Sequence, residues 1–193
     1  VMKKIEIKEF GGPEVLELKN IEIGKPGPKE VLVKNLSIGI NYIDTYHRSG
    51  LYPIPLPSGI GLEACSIIEE IGGEVNLFKV GDRVTRASMP IGTYSERQII
   101  PEDKLVKVPD NISDEVASCI TLKGITAEYL LHRTYKVKKG DKILYHAAAG
   151  ALGQIFCPWA NSLGAEIIGT VGSNEKIEIA KKIGANCVSH GAT

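Results

Sequence analysis

The sequence predicts an α/β protein in which a β-rich N-terminal region is followed by the opening of a doubly wound parallel sheet. Three observations carry this reading. Up to about Leu105, short alternating or β-branched runs are punctuated by Gly and Pro, as in Gly11-Gly12-Pro13, Lys25-Pro26-Gly27-Pro28 and Pro53-Ile54-Pro55-Leu56-Pro57. Beyond Pro109 the apolar period lengthens to that of a helix. From Lys142 onward, strand-like and helix-like segments alternate, an order that implies parallel pairing.

In the first region, strands are expected at 15–18, 30–35, 65–71, 83–87 and 98–100, after an opening segment around Ile5 that also alternates. A short helix is expected after Asn41, where Ile43, Tyr46 and His47 fall at helical spacing. Ser113-Asp114-Glu115 opens a second helix carrying Val116, Ile120, Ile125, Tyr129 and Leu130. The remainder reads as strand 142–146, helix 151–163, strand 166–171, helix 174–183 and a strand opening at 187–189. Pro158 lies inside the third of these helices, where it removes the bond to the Gln154 carbonyl at a cost of ~3 kcal/mol, so a kink is expected there. The domains are placed at 1–120 and 121–193. A doubly wound dinucleotide fold has about six parallel strands, and only two and a fraction are present, so the sequence reads as truncated.

With 23 basic and 23 acidic residues among 193, and 43% apolar content, the chain has the profile of a soluble folded protein. It has no excess charge for a nucleic-acid backbone or an anionic membrane surface, and neither is expected as a partner. No run of about 18 apolar residues occurs. Met2-Lys3-Lys4-Ile5-Glu6 leads into alternating sequence rather than a signal peptide's apolar core, and a cytoplasmic location is expected. Cys65, Cys119, Cys157 and Cys187 lie far apart with no CxxC, whereas a zinc knuckle needs closely spaced thiolates. They read as reduced thiols that mostly fill core.

The strongest local signal runs from Leu144 to Gly153, a strand turning through Ala147-Ala148-Ala149-Gly150 into a helix. Such a turn aims backbone N–H groups and the positive end of a helix at a pyrophosphate, and only small side chains allow the approach. Ala147, Gly150 and Gly153 stand where the glycines of a GxGxxG fingerprint fall, giving AxxGxxG, with Ala151 and Leu152 between the last two. Small residues also occur where a helix merely packs close to a sheet. The complete βαβ unit of about 30 residues favours the pyrophosphate reading. The second strand of that unit ends Thr170-Val171-Gly172-Ser173, without the Asp or Glu that accepts from the ribose 2′-hydroxyl of NAD. The Ser173 hydroxyl and Lys176 suit the 2′-phosphate of NADPH; the alternative is that Glu175 takes the ribose and Lys176 is solvated.

Taken together, these residues resemble the bacterial quinone oxidoreductases, the zeta-crystallin-like, zinc-free branch of the medium-chain dehydrogenase/reductase superfamily. The markers are Gly11-Gly12-Pro13-Glu14-Val15-Leu16, Gly39-Ile40-Asn41-Tyr42-Ile43-Asp44-Thr45-Tyr46, Arg48-Ser49-Gly50-Leu51-Tyr52, Gly81-Asp82-Arg83-Val84, Leu122-Lys123-Gly124-Ile125-Thr126-Ala127, His146 to Gly153 and Gly169-Thr170-Val171-Gly172. They span essentially the whole chain in one order.

The resemblance implies a GroES-like catalytic domain followed by a partial Rossmann domain, with NADPH and substrate in the cleft between them and a homodimer as the full-length form. It implies that Asn41, Ile43, Asp44, Tyr46 and Tyr52 line the nicotinamide and substrate pocket, and that Lys123 and Thr126 reach the cofactor. Asn41 would hold the carboxamide as a neutral donor and acceptor; its alternative role is to cap the short helix, as that of Asp44 is to pair with Arg48 and that of the tyrosines to pack. Lys123 has a solvated position as its alternative. Zinc alcohol dehydrogenases of the superfamily carry a Cys ligand in the place of Asn41 and a His ligand in the place of Leu62, so no catalytic zinc is expected. Hydride delivery without a Lewis acid suits a quinone, with an enone or enoyl thioester as the alternative acceptor and a non-catalytic remnant as a further reading. Family members often place a tyrosine at the adenosine end where this chain has Gly191.

Overall fold

In the computed structural model, which describes residues 1–190, the chain divides after Leu122 into two compact units. The first unit holds β1 (Met2–Ile7), β2 (Glu17–Ile21), β3 (Glu30–Gly39), α1 (Tyr42–Ser49), β4 (Ser58–Gly59), β5 (Glu63–Ile71), β6 (Arg83–Ala87), β7 (Arg97–Pro101) and β8 (Val106–Lys107). The division falls inside α2 (Asp114–Tyr129). The second unit continues with a π-helical turn at Leu130–Thr134, then β9 (Lys142–Tyr145), α3 (Gly153–Ser162), β10 (Glu166–Val171), α4 (Glu175–Lys182) and β11 (Ala185–His190).

The strands of the first unit form two antiparallel sheets, β2-β1-β4 and β7-β3-β5-β6-β8. Their β-branched and apolar inward positions, Val31, Val33, Ile68, Val84 and Ile100, close one core with Leu105. Arg83 of β6 ties this sheet to the start of α2: its Nε and Nη2 donate to Asp114 Oδ1 at 2.9 and 2.7 Å, and Nη2 also donates to the Ile112 carbonyl at 2.6 Å. Ser113 caps the same helix by accepting from the Val116 N–H at 3.3 Å.

One expected strand starts late. Residues 13–15 form a single 3-10 turn, and β2 begins only at Glu17. Pro13 presets a helical φ, and the Glu14 carboxylate accepts from the Gly12 N–H at 2.7 Å, so the turn is stabilised locally before pairing can start.

In the second unit β11-β10-β9 pair in parallel, as the strict alternation predicts. On β10, Ile167, Gly169 and Val171 are buried in alternation. On α3 the buried residues are Gly153, Phe156, Cys157 and Ala160, an i, i+3, i+4, i+7 stripe laid on the sheet. Pro158 does not break α3. It and Gln154, whose carbonyl loses its amide partner, are both exposed, so water can serve that carbonyl.

Cys65 and Cys157 are buried, as core filler should be, whereas Cys119 is exposed on α2. Burial pushes both buried thiols up to about 11, with the neighbouring Asp114 adding to the shift at Cys65. They are therefore neutral in the folded protein; this preference is intact below the ordinary thiol value of 9.0 and is lost as pH climbs from there towards about 11. Iodoacetamide followed by peptide mapping is expected to modify Cys119 in the folded chain and to reach Cys65 and Cys157 only after denaturation. Equal native rates at Cys65 and Cys119 would contradict the placement of β5.

Candidate functional site

The candidate residues fall into two groups, one in each unit. In the first, Asn41 occupies the N-cap of α1 with extended backbone, φ −128° and ψ 150°. Three residues on, the Asp44 carboxylate reaches back and accepts the Asn41 N–H through Oδ2 at 2.9 Å, as in a capping box. The helix closes on Gly50 in the left-handed region, φ 81°. Asn41 does more than cap: its Nδ2 donates to Glu63 Oε2 at 2.9 Å.

Asp44 does not pair with Arg48. Its Oδ2 accepts a second bond from the Tyr94 hydroxyl at 2.8 Å, and Arg48 Nε donates to the Gly11 carbonyl at 3.2 Å. Burial, reinforced by the Asp44 carboxylate, raises the Tyr94 hydroxyl far above the ordinary phenol range, so it stays a donor. Asp44 Oδ1 and His47 Nδ1 are buried with no hydrogen-bond partner among the described residues. Tyr46 stands edge-on to Tyr42 and Tyr52, with ring centroids 5.3 and 5.2 Å apart, and Tyr52 is half-exposed at the rim of this aromatic cluster. Ile43 is half-buried on the same helix.

Glu63 and Tyr94 were not among the residues singled out in sequence. Glu63 opens β5 with no exposed surface and takes the Leu122 N–H on Oε1 at 2.7 Å, besides Asn41 on Oε2. The only sequence signal was an acid at the head of the run Glu63-Ala64-Cys65. Tyr94 carried none.

In the second unit the turn after β9 has the features a phosphate loop needs. Ala147 is the only non-glycine residue at positive φ among the described residues, at 55°, a conformation that costs an L-residue roughly 1–2 kcal/mol. The Ala148 N–H donates to the Thr170 carbonyl on β10 at 2.9 Å, and the Gly150 N–H returns to the Ala147 carbonyl at 2.8 Å. A Cβ on Gly153 would lie 2.1 Å from the Ala148 carbonyl oxygen, so glycine is required for α3 to start against the strand. The N–H groups of Ala151, Leu152 and Gly153 have no acceptor among the described residues. They precede the first intrahelical bonds of α3, where helix donors are open to an anion.

One strand later, Gly172 is exposed, Ser173 is half-buried, and Lys176 stands exposed in the first turn of α4, with its N–H bonded to the Ser173 carbonyl at 3.1 Å. Lys176 makes no ion pair among the described residues. Lys123 and Thr126 lie three residues apart on α2, both half-buried. Gly191 lies outside the described residues. No helix among the described residues is long and apolar enough to cross a membrane.

The alcohol dehydrogenase GroES-like domain profile matches residues 27–110. The quinone oxidoreductase of Pseudomonas aeruginosa is 52% identical over 184 residues, covering 95% of this chain and 57% of its own length. The 2-haloacrylate reductase of a Burkholderia species is 46% identical over 187 residues, covering 93% of this chain and 56% of its own. Among solved structures, the Escherichia coli quinone oxidoreductase complexed with NADPH superposes with a TM-score of 0.93 at 48% identity, over 96% of this chain and 57% of that one. The chain therefore spans about 57% of the length of the curated relatives it matches.

The cap network yields a stability prediction. Tyr94→Phe removes one of the two donors on the buried Asp44 carboxylate, and the folded state is expected to lose about 1–3 kcal/mol. The urea midpoint should fall with an unchanged slope; a wild-type midpoint would contradict the bond.

Proposed function

We propose that the chain is part of a quinone oxidoreductase and carries the nicotinamide-nucleotide site of an NADPH-dependent reductase acting on a quinone, as its similarity to such enzymes supports. The observation that carries the reading is the Ala147–Gly153 turn, whose three N–H groups without an acceptor among the described residues and closely packed Gly153 fit a pyrophosphate. Ser173 and Lys176, following β10 where an NAD enzyme would present a carboxylate, would hold the 2′-phosphate. Asn41, Ile43, Lys123 and Thr126 would meet the nicotinamide end, with Asp44, Tyr46 and Tyr52 shaping the acceptor side. The unit that ends at Leu122 would then be the catalytic domain and the unit that begins at Lys123 part of the nucleotide domain.

When bound, NADPH supplies the hydride; the protein supplies orientation and electrostatics. Tyr46 and Tyr52 offer flat apolar faces with polar tips to a planar acceptor. Asp44, held by Tyr94 and the Asn41 N–H, fixes the helix that carries Tyr46, and the Tyr52 N–H bonds to the Tyr46 carbonyl. The donor set supports metal-free chemistry: Asn41 presents a neutral amide bonded to Glu63, and Leu62 is a buried aliphatic, so neither is a zinc ligand. A second reading, reduction of an activated alkene, is favoured by the relative named for reducing 2-haloacrylate.

Fluorescence titration of the chain with NADPH tests the reading. Saturable binding is expected, weakened about tenfold by Lys176→Ala and less by Ser173→Ala, with NADH affinity unchanged by either. Equal loss for NADH and NADPH would remove the 2′-phosphate assignment. Absence of any saturable binding would remove the nucleotide site from this chain.

A further inference from the structure

We propose that Thr170 is a positioning residue of the turn after β9: by bonding to the residues on either side of Ala147, it holds that alanine in the left-handed conformation from which the phosphate loop is built. The inference rests on the NADPH reading above and adds to it a residue that acts through the loop.

A strand that feeds a crossover helix has to leave its sheet abruptly. Here β9 ends at Tyr145 and α3 begins at Gly153, and the change of direction falls on Ala147, at φ 55°. Residues other than glycine seldom adopt that conformation, and it persists only where the surrounding structure over-determines it. The methyl group of Ala147 is exposed, so packing of its own side chain does not supply the restraint. Its neighbours do.

Both neighbours are held by one residue. The Ala148 N–H donates to the Thr170 carbonyl at 2.9 Å, and His146 Nδ1 meets the Thr170 hydroxyl at 3.0 Å. A hydroxyl can donate or accept, so this second bond exists in either tautomer of the imidazole. Thr170 is itself a fixed point. It lies on β10, the central strand of the sheet, where it is paired with Ser189 of β11. On the other side the pairing with β9 runs up to Gly169 and Tyr145, the residues just before the two bonds. The peptides before and after Ala147 are therefore tied to one rigid strand. The Gly150 N–H then returns to the Ala147 carbonyl at 2.8 Å, and this turn leads to the open N–H groups of Ala151, Leu152 and Gly153.

A bond that merely strengthened the end of the sheet would be indifferent to the conformation of Ala147, so the two roles separate when the strain is removed. Thr170→Val replaces the hydroxyl with a methyl group of similar size and keeps the backbone carbonyl; Thr170→Ser keeps both. The first readout needs no nucleotide. The 13Cα and 13Cβ shifts of Ala147, which report its backbone conformation, are expected to move from left-handed towards extended values in Thr170→Val and to stay in place in Thr170→Ser. The second readout is fluorescence titration with NADPH and competition by inorganic pyrophosphate. Thr170→Val is expected to weaken both about fivefold, the equivalent of one hydrogen bond, and Thr170→Ser to leave them unchanged. Adding Ala147→Gly to Thr170→Val is expected to recover most of the loss, because glycine adopts positive φ without a Cβ penalty and the methyl group removed is exposed.

Native Ala147 shifts in Thr170→Val overturn the proposal, as does an affinity that Thr170→Val leaves unchanged. A loss that Ala147→Gly fails to restore also overturns it, since the hydroxyl would then serve the sheet and not the turn. If the native chain binds neither NADPH nor pyrophosphate, the nucleotide reading fails by itself. The Ala147 shifts then still decide the role of Thr170: movement in Thr170→Val supports it, and identical shifts refute it. Near-UV circular dichroism confirms that each variant is folded.

Discussion

A carboxylate with no exposed surface must be met by donors, and in the first unit that requirement organises the elements around β5. Glu63 binds the side chain of the residue that starts α1 and a backbone amide in the middle of α2, two elements that share no strand pairing. Each bond to such a group is stronger than one between neutral partners, and loss of either leaves a buried acceptor exposed to no solvent. The position of α1, and so of Asn41, Tyr46 and Tyr52, follows from that arrangement. Asp44 and Tyr94 repeat it one turn later, with a second buried carboxylate anchoring the helix.

The second unit depends on a constraint of a different kind. Its parallel strands require a helical crossover, and the crossover must begin almost in contact with the strand it leaves. Gly153 meets that need by having no side chain, and the price is a helix start whose first N–H groups have no partner among the described residues. The same geometry that lets α3 pack therefore leaves donors at its start open, as the proposed phosphate site requires. The first unit positions side chains through buried charge, while the second offers bare backbone.

How much of this was legible in the sequence depends on whether the interaction is local. Helix α1 could be read from Ile43, Tyr46 and His47, and β6 matched residues 83–87, because period and local chemistry decide both. The βαβ unit could be read from small residues placed between a strand and an amphipathic stripe. Glu63 could not. Its partners are 22 and 59 residues away, and one of them is a backbone N–H, which has no residue type to recognise. Tyr94 likewise lies 50 residues from Asp44. The 3-10 turn at 13–15 was missed for the opposite reason: a proline and a side-chain cap overrode an alternating pattern over very short range.

The central proposal is that a nucleotide is held in the second unit by the open backbone donors after β9 and by Ser173 and Lys176 after β10. Backbone 1H–15N NMR of the chain with and without NADPH tests this most directly. The account predicts the largest amide shifts at Ala151, Leu152, Gly153, Ser173 and Lys176. Shifts confined to other surfaces, or a spectrum unmoved by saturating NADPH, would contradict it.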